Sequence, residues 1–142
     1  MDYLQLLREN DDPTQWEYPR DFDYHLATTE FAKFADELSM AQGVALKTET
    51  GVIIQDNSFH SQICIPLPGD RSAVNRFSNF GKMVTVSEDE SVPKEMLSTM
   101  KELFSRHGYV YVPASILDQP YTGRNPGVTG IRTWWIRYFD WV

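Results

Sequence analysis

The chain has 142 residues, 42% of them hydrophobic and 23% charged, with a formal net charge of −7. That length fits one domain able to bury a core without help from a metal or disulfide. A single cysteine, Cys64, excludes an intrachain disulfide and a cysteine-based zinc site. No apolar run approaches the ~20 residues of a membrane span, and the opening MDYLQLLRENDD has neither the basic start nor the apolar stretch of a signal peptide. A soluble, cytoplasmic protein is expected.

The charge is unevenly placed. Residues 1–40 carry ten acids and three bases, while residues 41–142 carry ten of each. Residues 2–9 have the apolar spacing of a short amphipathic helix. Residues 10–27 hold two prolines and clustered aspartates and read as a loop. That loop also carries Trp16, Tyr18, Phe22 and Tyr24, rings expected to pin it either to this domain or to a partner. Phe31, Phe34, Ala35, Leu38 and Ala41 then recur at helical spacing. They predict a helix over 29–42, capped by Thr28 or Thr29 and stopped by Gly43.

Residues 44–49 and 52–56 flank Thr50-Gly51, a hairpin signal. Residues 59–65 alternate, with Phe59, Ser61, Ile63 and Ile65 on one face and His60, Gln62 and Cys64 on the other. Pro66 and Pro68 are expected to end that strand, completing a three-strand antiparallel meander. Residues 67–75 read as loop, and 82–86 as a further strand approached through 76–81. Ser87-x-x-Glu90 has the form of a capping box and Ser91 is a second cap candidate. Val92, Met96, Met100, Leu103 and Phe104 carry a helix to about residue 106, closed near Gly108. Residues 109–112 predict a strand, 118–130 a long loop with an Asn125-Pro126-Gly127 turn, and 132–141 a strand with aromatic residues on both faces. Trp134, Ile136 and Tyr138 would face the helices, and Trp135, Phe139 and Trp141 the open side. The fold class is α+β: a single domain with a mixed or antiparallel sheet of about six strands, packed by two main helices plus a short N-terminal helix.

Chemical signatures are sparse. His60 and Cys64 lie four strand residues apart, ~13 Å, too far for a dyad, and no G-x-S-x-G elbow occurs. Cys64 is expected to be a small buried hydrophobe. Asp21, Asp23 and His25 fit no zinc or calcium spacing, and Gly123, Gly127 and Gly130 match no phosphate-binding loop. No catalytic residue, metal or cofactor is therefore assigned. The acidic field opposes phosphate backbones, so no nucleic-acid partner is expected, and no membrane partner either. A protein interface remains, and Asp11, Asp12, Trp16, Glu17, Tyr18, Asp21, Asp23 and Tyr24 interleave acids with aromatic anchors. Tyr121 and Arg124 in the later loop would add a second contact, and Trp141 an anchor at the end of the last strand. The implied partner is a protein with a basic surface, met by a monomer or dimer of this chain.

In size, acidity, cysteine poverty and α+β character, and in the aromatic ending TWWIRYFDWV, the chain resembles the immunity proteins of bacterial toxin systems, including contact-dependent and other polymorphic toxins. The resemblance implies a non-enzymatic, stoichiometric inhibitor in the cytoplasm that binds a cognate toxin, often a basic nuclease, and occludes its active site. Two other readings stay open at this point: a small hydrolase or transferase with an unrecognised site, and a chaperone for an exported effector.

Overall fold

A computed structural model describes residues 1–50, 58–124 and 131–140. The first helix, α1 (Tyr3–Glu9), is capped by Asp2, whose carboxylate accepts the Gln5 N–H at 3.0 Å. The second, α2 (Tyr24–Gln42), begins earlier than the sequence predicts because Asp23 takes the cap, accepting the Leu26 N–H at 2.9 Å. Thr28 and Thr29, the expected caps, instead donate back to the carbonyls of Tyr24 and His25, as threonines inside a helix do. Gly43 closes α2 at φ 70°, in the left-handed conformation that glycine adopts without strain.

The described residues form a five-stranded sheet. Strands β1 (Lys47–Thr50), β2 (Phe59–Leu67), β3 (Arg71–Ser78) and β4 (Met83–Val86) pair antiparallel in chain order, and β5 (Val110–Tyr111) lies parallel to β4. Between β4 and β5 runs α3 (Lys94–Arg106), the crossover that a parallel pair requires. The expected strand at 52–56, with Gly51 of its hairpin, lies outside the described residues.

Three expectations need correction here. The stretch read as loop, 67–75, belongs largely to β2 and β3, joined across Pro68-Gly69-Asp70 with Gly69 and Asp70 both at positive φ. Pro66 does not end β2. Strand β1 reaches only as far as Cys64, so Pro66 sits where β2 has no neighbour on that side and its missing N–H costs no ladder bond. Neither Ser87 nor Ser91 caps α3. Ser87 Oγ accepts the Val74 N–H at 3.0 Å and stays with the sheet, and α3 starts directly after Pro93.

The sheet separates two cores. Val84 and Val86 join Ile63, Ile65 and Phe77 against α2 and α3, where Phe34 stacks on Phe104 at 5.2 Å. Met83, next to Val84 on β4, points the other way. It packs with Leu7 of α1, Leu117 of α4 (Ala114–Leu117) and the aromatic residues of α5 (Trp134–Phe139).

The helix α5 overturns the predicted C-terminal strand. Thr133 caps it, its hydroxyl accepting the Ile136 N–H, and the rings then pair at i,i+4 rather than i,i+2. Trp134 stacks on Tyr138 at 5.9 Å, and Trp135 meets Phe139 at 5.9 Å. The buried set is Trp134, Arg137, Tyr138 and Phe139, while Trp135 and Ile136 are half-buried. Cys64 also departs from expectation. It is half-exposed on the sheet rather than in either core, because its neighbours Ile63 and Ile65 take the inward positions.

Candidate binding surface

The acidic loop between α1 and α2 is fixed to the body by one buried arginine. Arg137 lies among the rings of Phe80, Tyr138 and Trp16, its guanidinium carbon 4.6, 5.1 and 5.3 Å from their centroids. Its Nε donates to Asp11 Oδ1 at 2.8 Å, and both side chains are fully buried. Its remaining nitrogens donate to the carbonyls of Asp12 (3.3 Å), Gln15 (2.8 Å) and Trp16 (3.1 Å). Only a guanidinium offers enough donors, in one plane, to hold a carboxylate and three carbonyls together.

Asp11 completes this clasp from the other side. Its Oδ2 accepts the Tyr121 hydroxyl at 2.5 Å and the Arg124 backbone N–H at 2.6 Å. Burial alone would raise the Asp11 pKa. The hydrogen bonds from Tyr121, Arg137 and Arg124, together with the Arg137 charge, outweigh it and hold the carboxyl below its ordinary value. Gly123 approaches so closely that a methyl group there would run into Asp11 Oδ2 and the Tyr121 ring.

This geometry corrects part of the interface expected from sequence. Asp11 is 0% exposed and cannot meet a partner. The Tyr121 hydroxyl and the Arg124 backbone brace Asp11 rather than forming a second contact, although the Arg124 side chain itself is exposed. Arg137, in the run read as a strand open on one side, lies buried over aromatic rings. Trp141 lies outside the described residues.

The rest of the loop presents what the clasp leaves outward. The Asp12 carboxylate turns back onto Thr14, accepting its N–H and its hydroxyl at 2.8 Å each. These bonds, the backbone one first, hold the Asp12 pKa down. The ring of Trp16 is half-buried under Arg137, and the Glu17 carbonyl accepts Asn79 Nδ2 at 2.7 Å. Tyr18 stacks on Phe22 at 6.0 Å, and Phe22 in turn meets Tyr24 and His60. Tyr18 and Tyr24 are 49% and 44% exposed, and Asp21 and Asp23 are exposed beside them. Of the eight loop residues expected at the interface, Tyr18, Asp21, Asp23 and Tyr24 are exposed, while Asp12 and Glu17 beside them are half-buried. Asp11 and Trp16 turn inward.

An acidic hollow that no sequence pattern indicates lies elsewhere on the surface. It is a groove of about 650 Å³ bordered by Glu88, Asp89, Glu90, Asp118, Arg71 and Trp135. Its most buried acid, Asp89, accepts the Tyr111 hydroxyl and the Ala114 N–H, so that carboxylate is already committed within the fold. Among the described residues no group of three or more His, Cys, Asp or Glu is placed to hold a metal ion, and no helix is long and apolar enough to cross a membrane. No family model, curated protein or solved structure matches this chain.

Proposed function

We propose that the chain is a non-enzymatic, protein-binding inhibitor of the immunity type, which binds a basic toxin domain through residues 12–24 and occludes its active site. The observation that carries this reading is the pairing of an acidic, aromatic surface with a clamped backbone. Asp12, Glu17, Asp21 and Asp23 supply negative charge, and Tyr18 and Tyr24 supply exposed rings. Arg137 holds three carbonyls of the same loop in place. A surface ordered before binding loses less conformational entropy on association, aromatic residues are the common anchors of interfaces, and one-signed charge accelerates encounter with an oppositely charged partner.

The test uses a variant that removes charge without removing structure: Asp12→Asn, Glu17→Gln, Asp21→Asn and Asp23→Asn together. Asparagine can keep both the turn at residue 12 and the α2 cap at residue 23. Wild type and variant, each tagged, are purified from the native host with their bound proteins, and the recovered partner is assayed for activity. The expected result is a basic partner, inhibited at one-to-one stoichiometry, whose association with the variant is slower at low salt and less salt-dependent. An equal association rate for the two proteins at low ionic strength refutes the assigned surface.

A further inference from the structure

Behind the exposed loop lies a cavity of about 250 Å³, lined by Phe22, His60 and Tyr109, with Asp21, Asp23 and Glu30 among the acids around it. Its floor is built by a β-bulge. Phe59 pairs with Ser78 and Ser61 with Phe77, so two steps along β2 oppose one along β3 and His60 is the extra residue. The bulge turns the His60 ring inward, 6.3 Å from Phe31 and 6.3 Å from Phe77, and leaves Phe59 4.6 Å beneath the Arg76 guanidinium. The sequence-based pattern, with His60 on the face of Gln62 and Cys64, fails for this reason.

Two polar groups at this floor lack partners. The first is His60 Nε2. Burial holds this imidazole at about 4, so it is neutral near pH 7. Its tautomer follows from a short relay. The Thr50 hydroxyl donates to the His60 carbonyl and the Ser61 hydroxyl donates to Thr50 Oγ1. Only a lone pair of Ser61 therefore remains for His60 Nδ1 at 2.8 Å, and Nδ1 is the donor. Nε2 is left as an acceptor with no hydrogen-bond partner among the described residues. The second is the hydroxyl of Tyr109, a residue 7% exposed, which also bonds nothing among the described residues. The Tyr109 oxygen is closed off in the fold, and a buried polar group is rarely left so without an explanation.

The surroundings select the sign of a ligand. The α2 N-terminus contributes about half a positive charge, which Asp23 already meets as the cap. Lys82 is paired with Glu30 at 2.7 Å. Three carboxylates against one ammonium leave the rim negative, so a cation is favoured over an anion. The space is below the usual range of about 300–1,000 Å³ for small-molecule sites. A flat, multi-donor cation between aromatic rings and acceptors describes a guanidinium.

We infer that this cavity receives the guanidinium of one arginine side chain presented by the basic protein partner. The arginine stacks against Phe22, meets Asp21 and Glu30 at the rim, and donates to His60 Nε2; the Tyr109 hydroxyl, which has no open surface in the unbound fold, accepts a second bond once the entering group parts its cover. This inference rests on the reading of the chain as a protein-binding inhibitor and names where that partner inserts.

The probe is acetyl-Gly-Arg-Gly-amide, titrated into the full chain while the His60 and Tyr109 ring signals are followed by NMR. The norleucine peptide and free arginine serve as controls. Saturable shifts at both rings with the arginine peptide alone, weakened about tenfold by Tyr109→Phe and by Glu30→Gln, support the inference. Tyr109→Phe should keep or raise the melting temperature, since the hydroxyl bonds nothing among the described residues; a clear fall shows a structural role and overturns the assignment. Equal shifts with the norleucine peptide also overturn it. Tighter binding of free arginine than of the peptide makes the cavity a small-molecule site and overturns the docking role. An absence of peptide shifts, while the captured partner still responds to neutralisation of the loop acids, overturns the cavity alone and leaves the inhibitor reading intact.

Discussion

Replacing Arg137 by methionine removes the side chain on which the acidic loop hangs while keeping much of its apolar bulk. The loss is that of one partner in a fully buried ion pair, together with the donors to three carbonyls. Breaking a buried pair in this way costs about 3–5 kcal/mol, because the remaining carboxylate of Asp11 stays buried without its counter-charge. By contrast, the exposed pair Lys82–Glu30 is worth about 0–1 kcal/mol. Set against a total stability of about 5–15 kcal/mol, Arg137→Met should lower the melting temperature by roughly 10 °C. Asp11→Asn should also destabilise, since it leaves the guanidinium uncompensated. The double variant should lose less than the two singles added together, by about 2–3 kcal/mol. Urea unfolding followed by tryptophan fluorescence measures all three, and limited proteolysis reports whether residues 12–22 detach. A loss below about 1 kcal/mol for Arg137→Met, with unchanged cleavage of the loop, refutes the clasp as the element that holds it.

Acid should destabilise the protein in two stages. His60 goes from an ordinary value of 6.5 to about 4 on folding, so its contribution is complete above pH 6.5 and is lost as pH falls toward 4, at most about 3 kcal/mol. Asp11, held below 3.8, contributes fully above that value and loses its contribution only at lower pH. Urea midpoints between pH 7 and 3 check this, and His60→Gln should flatten the upper stage alone; a flat wild-type profile between pH 6.5 and 4.5 contradicts the buried neutral imidazole. Gly123→Ala should cost about 1–3 kcal/mol, measured by thermal melts, because its methyl group overlaps Asp11 and Tyr121. Cys64→Ala, at a half-exposed position, should cost about 1 kcal/mol or less and leave partner inhibition unchanged. Abolished inhibition by a folded Cys64→Ala protein would favour the enzyme reading.

What the sequence made legible follows from how strongly each segment prefers one period. Phe31, Phe34, Ala35 and Leu38 fit only a helix, and α2 buries those four. Met100, Leu103 and Phe104 do the same for α3. Strand β3 was hidden because its inward positions are Ala73, Asn75 and Phe77, only one of them a large apolar residue. Its one clear signal was Pro68-Gly69-Asp70, a turn sequence that the structure uses at the β2–β3 tip. The run RTWWIRYFDW satisfies both a period of 2 and one of 3.6, and short apolar runs cannot be resolved by periodicity. Thr133, a cap residue directly before the aromatic run, was the cue for the helix. At the site, sequence identified the kind of surface but not its members. Asp11 and Asp12 are adjacent and alike, yet one is buried and one is not. The difference is made by Arg137, 126 positions away. Nor could alternation along β2 disclose the bulge that turns His60 inward.

The clasp also bears on why this loop is held by charge rather than by oil. A buried ion pair is a poor way to gain net stability, since well-packed apolar residues of similar volume often serve as well or better. What apolar residues lack is direction. Arg137 fixes the carbonyls of Asp12, Gln15 and Trp16 individually, and Asp11 ties the same point to Tyr121 and to the Arg124 backbone. Those bonds set the path of the backbone that carries Tyr18 and Asp21 outward. A double replacement of Asp11 and Arg137 by leucine and methionine separates the two roles. If the pair serves position, this variant should recover much of the stability lost in Arg137→Met, yet still associate more slowly with the proposed basic partner, because the loop has lost its ordered path. Recovery of both stability and association would mean that any filling of the space suffices, and that the direction of the hydrogen bonds is immaterial to binding.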